Sequence, residues 1–118
     1  MKASLKTRKD FLAAARAEKW VGPVVLVQQR DREDESPDVR VGFTASKKVG
    51  NAIARNRAKR RLRAISAELL PASAREGHDY VWIAKRGAVK ASFWKLRRDA
   101  TRALERLTAA QPARVSVP

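Results

Sequence analysis

The sequence predicts one small domain of the α/β (or α+β) class, a two-layer sandwich in which helices pack on a small sheet. Three observations support this. Short runs of β-branched and aromatic residues have strand length, and longer segments repeat apolar residues at helical spacing. A chain of 118 residues is long enough for one modest core. The coarse order is helix, strand, strand, helix, strand, helix, with room for one further short strand.

The N-terminal third predicts a helix followed by a strand. Lys2 to Lys9 is basic and predicts a frayed start, Thr7 can cap a helix that reaches about Lys19, and Gly22-Pro23 ends the segment. Phe11 is the aromatic residue of this helix, and a core anchor and an exposed functional ring are equally good readings of it. The β-branched run from Val24 to Gln29 predicts the first strand.

An acidic segment and an alternating strand follow. Arg30 to Asp38 holds five of the twelve acids and predicts a solvated hairpin loop between two strands. In Val39 to Ser46, Val39, Val41, Phe43 and Ala45 share one face, whereas Arg40, Gly42, Thr44 and Ser46 share the other. We expect the second, small and polar face to lie beside the next helix, where its small side chains would allow another backbone to approach closely.

The segment from Ser46 to Leu70 predicts the central helix, which begins at Asn51 and ends before Pro71. Its apolar positions fall within an arc of roughly 80°: Ala54, Ala58, Leu62, Ile65 and Leu69. The rest of the circumference is cationic or polar: Arg55, Asn56, Arg57, Lys59, Arg60, Arg61 and Arg63.

This cationic face has no acidic neighbour in the sequence. Nine Lys or Arg residues lie between Asp38 and Glu68, and no acid lies among them. A solvated helix face usually mixes both signs, so a single-sign face is typical of a surface that binds a polyanion. The formal net charge of +15 and the pI near 11.4 also favour nucleic acid, or an anionic membrane surface, as the partner.

The C-terminal third predicts a strand and a last helix. His78 is predicted at the surface, Tyr80 to Ala84 reads as a central strand covered on both faces, and Ser92 can cap the last helix. We expect one domain over residues 1–110 and a disordered tail from Gln111 to Pro118, which has no periodicity.

The chain offers few groups for chemistry of its own. It has no Cys and one His, and its acids are scattered or lie in the acidic segment, so no catalytic residue and no protein-held metal is predicted. It also lacks a long apolar stretch and a signal-type N-terminus, so we expect a cytoplasmic protein with no membrane partner.

The central segment also carries a long, ordered motif. It consists of Asn51-Ala52, Arg55-Asn56-Arg57, Lys59-Arg60 and Leu62-Arg63, preceded by Arg40-Val41-Gly42-Phe43 and Ser46-Lys47-Lys48-Val49-Gly50. The stretches LKTRKDFLAAAR, DYVWIAKRG and FWKLRRDATRALERL accompany it in order. With these motifs, from about Leu5 to Leu107, the chain resembles the protein subunit of bacterial ribonuclease P.

The resemblance implies a fold, an activity and a set of partners. The fold is a sandwich with a mixed sheet and a left-handed β-α-β crossover, whereas physical reasoning alone favours a right-handed one for parallel strands. The holoenzyme removes the 5′ leader of precursor tRNA, and its catalyst is the RNA subunit with Mg²⁺ held chiefly by RNA. The implied partners are the catalytic RNA and precursor tRNA, with no obligate protein partner.

The resemblance also implies site residues. Those that would face RNA are Arg55, Asn56, Arg57, Lys59, Arg60, Arg63, Ser46, Lys47 and Lys48, and Arg61 ranks lower because the motif leaves its position open. Phe11, Phe43 and Arg40 would border a leader cleft between helix and sheet, although a core role for Phe43 fits equally well. Base stacking would be weaker here, since Ala14, Ala15, Val25 and Val27 stand where relatives often have aromatics.

Two other functions fit parts of the sequence. One is a ribosomal or other structural RNA-binding protein that uses the same basic helix without processing RNA. The other is a metal-dependent nuclease that acts alone through the acids from Asp31 to Asp38, although the spacing and Gly of a calcium loop are missing there.

Overall fold

A computed structural model describes residues 2–109; Ala110 and the tail predicted from Gln111 to Pro118 lie outside the described residues. The five strands are β1 (Lys2–Ser4), β2 (Glu18–Val21), β3 (Val25–Asp31), β4 (Val39–Ala45) and β5 (His78–Ala84). The three α-helices are α1 (Arg8–Ala15), α2 (Ala52–Ser73) and α3 (Phe93–Ala109), and a short 3-10 helix spans Lys47–Val49. The predicted α/β class and element order are confirmed, with two additional strands.

The strands form one mixed sheet in the order β1-β4-β5-β3-β2. β1, β4 and β5 are parallel, whereas β3 is antiparallel to both β5 and β2. β5 lies at the centre, which explains why Tyr80 to Ala84 reads as a nearly continuous apolar run: both of its faces are covered. Because β4 and β5 are adjacent and parallel, α2 connects them as a β-α-β crossover. The left-handedness of this crossover stays a prediction from the resemblance.

The helices cover both faces of the sheet. α2 and α3 pack on one face, where Leu62 and Leu96 join Trp82 in the main core. α1 packs on the other face in a smaller cluster formed by Leu5, Ala14 and Val81. The small α1 layer is an addition to the predicted two-layer arrangement. The two faces of the sheet are therefore covered by different helices.

The two strands that the sequence did not predict are stabilised by pairing with other strands. β2 was predicted as the end of the first helix, but Glu18–Val21 pairs with Leu26–Gln29 of β3 in a hairpin. β1 was predicted as a frayed start, but it pairs with Val39–Val41 of β4. The ladder hydrogen bonds of each strand outweigh its weak local preference.

Three further predictions were wrong in detail. The acidic segment is not a hairpin loop, because β5 lies between β3 and β4. α2 continues through Pro71 to Ser73, since the buried Leu70 anchors the last turn and its carbonyl accepts from Ala74 N at 2.8 Å. His78 is buried, at 7% exposure, with Nδ1 2.8 Å from the Glu76 carbonyl oxygen.

The predicted helix caps are confirmed. Asn51 Oδ1 accepts from Ala54 N at 2.9 Å, Thr7 Oγ1 from Asp10 N at 3.2 Å, and Ser92 Oγ from Lys95 N at 3.0 Å. Each cap satisfies a backbone N–H that its helix leaves without an acceptor. The Asn51 cap marks the residue at which α2 begins.

Candidate nucleic-acid interface

The α2 helix is amphipathic in the way that its sequence predicts. Ala58, Leu62 and Ile65 are fully buried against the sheet, while Ala54 and Leu69 at the ends of the predicted stripe are partly buried. Ser66 and Leu70 widen the stripe on one side. Burial of this stripe fixes the rotation of α2 and directs the opposite face outward.

The outward face presents cations that no described carboxylate neutralises. Arg57, Arg60 and Arg63 are exposed and Arg55 and Lys59 are partly exposed. In the described part of the chain, no ion pair involves any of these five side chains. Asn56 is exposed between them. Their N–H donors therefore face solvent, ready for phosphate oxygens.

Arg61 differs from its neighbours. It donates to the carbonyl oxygens of Ala88 and Val89 at 2.6 Å and of Ala91 at 2.5 Å, which ties the loop before α3 to α2. Burial, and then the charge of Arg57, lower the pKa of Arg61. Its role is to hold the fold, in agreement with its lower rank in the motif.

The lysines before α2 extend the cationic face. Ser46 caps the 3-10 helix by accepting from Lys48 N at 3.1 Å, and its own N–H donates to the Ala84 carbonyl oxygen at 3.0 Å. Lys47 and Lys48 are exposed. The sheet thus fixes the backbone of this loop, while both ammonium groups extend into solvent near the N-terminal end of α2.

Phe43 lies beside the cationic face, under α2. The guanidinium carbon of Arg63 lies 5.5 Å from the centre of its ring, within the range of a cation–π contact. Shallow pockets of about 230 and 340 Å³ lie on either side of the ring, and Arg63 lines one while Arg55 and Lys59 line the other. The half-buried Phe43 therefore packs on the core and also forms part of the groove below α2.

Phe11 and Arg40 lie on the opposite face of the sheet from Phe43. The prediction that Phe11 and Phe43 border the same leader cleft is therefore wrong. A Cβ on Gly42 would lie 2.7 Å from the Phe11 ring, so Gly42 allows α1 to pack closely. The Gly42 and Thr44 face of β4 thus belongs to α1, and its predicted position beside α2 is wrong as well. Strand alternation was read correctly, but only the packing shows which helix covers which face.

A half-buried row of side chains lies beyond α1 on that face. Leu26 pairs with Ile83, and Ile83 with Thr44, so the three form a row across β3, β5 and β4. Leu26 and Ile83 were not predicted as site residues, because their strands are nearly continuously apolar and show no alternation. Phe11 and Ile83 both pack against the cluster of Leu5, Ala14 and Val81, so Phe11 and this row lie on the same α1 face of the sheet.

Arg40 is held by carboxylates at the other end of the α1 face. Asp79 is fully buried and accepts from Arg40 Nε at 2.8 Å and Nη2 at 2.7 Å, from Arg32 at 2.8 Å and from Arg30 at 3.3 Å. Asp10 of α1 accepts from Arg40 at 3.3 Å. Asp79 raises the pKa of Arg40, while Thr7 and then Arg40 lower the pKa of Asp10. Arg40 is therefore first a structural residue.

The described residues offer no metal site and no membrane-spanning helix. No group of three or more His, Cys, Asp or Glu residues within positions 2–109 gathers as a metal site. No helix in the same range is long and apolar enough to cross a membrane. The acids from Asp31 to Asp38 instead bond locally, for example Asp34 to Arg32 at 3.0 Å.

Sequence comparison agrees with this geometry. The model of the Ribonuclease P family matches residues 1–108. The ribonuclease P protein component of Caulobacter vibrioides is 49% identical over 105 residues, which cover 89% of this chain and 70% of the relative. That of Ruegeria pomeroyi is 48% identical over 110 residues, which cover 92% and 88%.

Solved structures share the fold. The RNase P protein of Staphylococcus aureus superposes with a TM-score of 0.72 at 21% identity, covering 86% of this chain and 92% of its own. That of Thermotoga maritima superposes with a TM-score of 0.71 at 25% identity, covering 87% and 96%. The cationic α2 helix and the mixed sheet thus occur in a chain that belongs to the ribonuclease P protein family.

Proposed function

We propose that this chain, a subunit of ribonuclease P, binds the catalytic RNA and precursor tRNA through the outward face of α2 and thereby assists removal of the 5′ leader. The observation that carries the proposal is the set of α2 cations that form no ion pair with described carboxylates. Their mutual repulsion is relieved when phosphates bind, which ties RNA affinity to salt concentration.

Each part of the interface has a role in this proposal. The phosphate contacts come from Arg55, Arg57, Lys59, Arg60 and Arg63, with Asn56 as a further hydrogen-bonding group. Lys47 and Lys48 continue the contacts ahead of α2, and Ser46 fixes their loop. Guanidinium forks bind phosphate oxygens in pairs, so the arginines also orient the RNA. Phe43 contacts RNA beside Arg63.

The leader lies on the α1 face in this proposal. Phe11, Leu26, Thr44 and Ile83 provide a shallow surface on which unpaired bases can stack or pack. Arg40 closes one end, where its side chain keeps 26% exposure despite two carboxylate partners. Thr44 and Ala45 are the last two residues of β4, and Ser46 follows them directly. The proposed leader surface therefore leads towards the cationic face.

The catalytic groups belong to the RNA subunit in this proposal, and Mg²⁺ held chiefly by RNA supplies the activated water and stabilises the leaving group. This chain contributes cations that neutralise phosphates near the cut and a fold that holds them in place. That contribution lowers the Mg²⁺ concentration the RNA needs. We place the chain in the cytoplasm, with RNA as its partner and no obligate protein partner.

Reconstitution tests the proposal. The purified chain is mixed with the RNA subunit and precursor tRNA at low Mg²⁺, and 5′ cleavage is followed on a gel. We expect stimulation over the RNA subunit alone. Absence of stimulation, with RNA binding retained, would indicate a structural RNA-binding protein. Cleavage without the RNA subunit would indicate a nuclease that acts alone.

A further inference from the structure

The start of α3 exposes two aromatic rings. Trp94 is 68% exposed and Phe93 is 44% exposed, although α3 otherwise buries its apolar residues against the main core. Trp20 is half-buried and Trp82 is fully buried. An exposed indole on a rigid helix is a large apolar surface with one N–H donor, a combination that is enriched where proteins bind partners.

Arginines continue the surface along α3. Arg98 and Arg102 follow Trp94 at intervals of four residues, so the three side chains form one stripe along the helix. With Arg97, Thr101 and Glu105 they line a shallow pocket of about 210 Å³. Arg97 pairs with Glu68, whereas Arg98 and Arg102 form no ion pair within residues 2–109.

This stripe adjoins the cationic face of α2. Both helices lie on the same side of the sheet, and the Arg97–Glu68 pair joins their neighbouring flanks. Nearer the start of α3, Arg61 of α2 binds the carbonyl oxygen of Ala91, two residues before Phe93. A strand of RNA that leaves α2 on this side therefore meets Trp94 and Arg98 next.

We propose that Trp94, Arg98 and Arg102 form a second RNA contact, in which an unpaired base stacks on the indole and the phosphates beside it bind the two guanidiniums. The proposal rests on RNA binding by α2. A membrane surface would require a continuous apolar face, but the apolar stripe of α3 is buried in the core. One ring followed by cations at turn spacing is the pattern for single-stranded nucleic acid.

Substitution in the intact complex tests the contact. Binding is measured separately for the RNA subunit and for precursor tRNA. Trp94→Ala should weaken one of the two affinities by roughly 10-fold, and Trp94→Phe should restore most of that loss because a ring remains. Arg98→Ala with Arg102→Ala should lower the slope of log affinity against log salt by about 2. Glu35→Ala and Arg16→Ala are the controls, since they shorten exposed side chains in the acidic segment and after α1, away from α2 and the start of α3.

The source of the RNA is identified by crosslinking. The chain has no Cys, so Thr101→Cys provides a unique thiol in the pocket while it leaves the ring and both arginines intact. A photoactivatable group on that thiol should crosslink to the RNA subunit or to precursor tRNA in the assembled complex, and the same group on Glu35→Cys, in the exposed acidic segment, should not. A crosslink to the first assigns the site to holoenzyme assembly, and one to the second assigns it to substrate binding.

Other outcomes overturn the proposal. Unchanged affinity in Trp94→Ala together with no crosslink from position 101 removes RNA from this surface, and a crosslink to another copy of the chain assigns it to a protein contact. In either case the wild-type chain still binds RNA through α2. Failure of the wild-type chain itself to bind either RNA would refute the proposed function instead, so the two failures are distinguishable.

Discussion

Two groups of arginines in this protein have opposite environments. Arg30, Arg32 and Arg40 converge on the buried carboxylate of Asp79, while Arg57, Arg60 and Arg63 extend from α2 with no carboxylate partner among the described residues. In the first group the distances to Asp79 are 2.7 to 3.3 Å. The first group stabilises the fold, and the second remains available for RNA.

The difference shows that arginine content alone does not predict function. The first group comes from β3, the acidic segment and β4, and its acceptor comes from β5, so the sheet topology neutralises it. The second group comes from one helix with no acid within it before Glu68, so nothing local can neutralise it. Substitutions in and around the two groups test this contrast.

The largest expected effect is on stability, from Asp79→Asn. An amide keeps the shape but removes the charge that compensates three guanidiniums at a buried position, so the free energy of unfolding should fall by about 3–5 kcal/mol. Urea denaturation measures the change. Asp34→Asn is the matched control, since Asp34 is about half exposed and pairs with Arg32 at the surface, so its effect on stability should be much smaller. Equal effects of the two would contradict the structural role of Asp79.

A smaller free-energy change, in binding, is expected from the double variant Arg57→Ala/Arg60→Ala. Loss of two phosphate contacts should weaken RNA binding by about 10- to 100-fold and lower the salt slope by about 2, with stability unchanged. Filter binding at several salt concentrations measures both quantities. An unchanged slope would remove α2 from the interface.

Arg61→Ala should have the reverse effect of that double variant. The carbonyls of Ala88, Val89 and Ala91 lose their donor, so the free energy of unfolding should fall by about 1–2 kcal/mol. The salt slope of RNA binding should stay close to that of the wild type. A marked drop in the slope without loss of stability would place Arg61 with the RNA-binding arginines.

The smallest expected effect is the pH dependence contributed by Asp10. Its pKa is lowered in the folded protein, by Thr7 first and then by Arg40, so its contribution is present above the ordinary carboxyl pKa of about 4 and is lost as the pH falls through the lower, folded value. Asp10→Asn should therefore reduce the loss of stability between pH 6 and pH 3 by less than about 1 kcal/mol. Urea titrations at the two pH values test this, and an identical loss in variant and wild type would contradict it.

Much of the proposed RNA-binding surface could be predicted from sequence because it is local. The apolar stripe, the Asn51 cap and the surrounding cations all lie within one helix, whose geometry sets the relative directions of its side chains. The proposed leader surface on the α1 face was predicted less well, since it combines residues from α1, β3, β4 and β5. Phe11 and Phe43 belong to different elements, and strand alternation does not show which helix covers which face.

The sequence by itself determined the α/β class, the central helix, its cationic face and the family, because periodicity, caps and an ordered motif are properties of contiguous residues. Tertiary structure alone decided the positions of β1 and β2, the opposite faces of Phe11 and Phe43 and the neutralisation of Arg40. These features depend on strand pairing, on the packing of helices against the sheet and on ion pairs between different elements. Contacts of that kind leave no periodic signal in either segment, so only the packed sheet reveals which arginines remain for RNA.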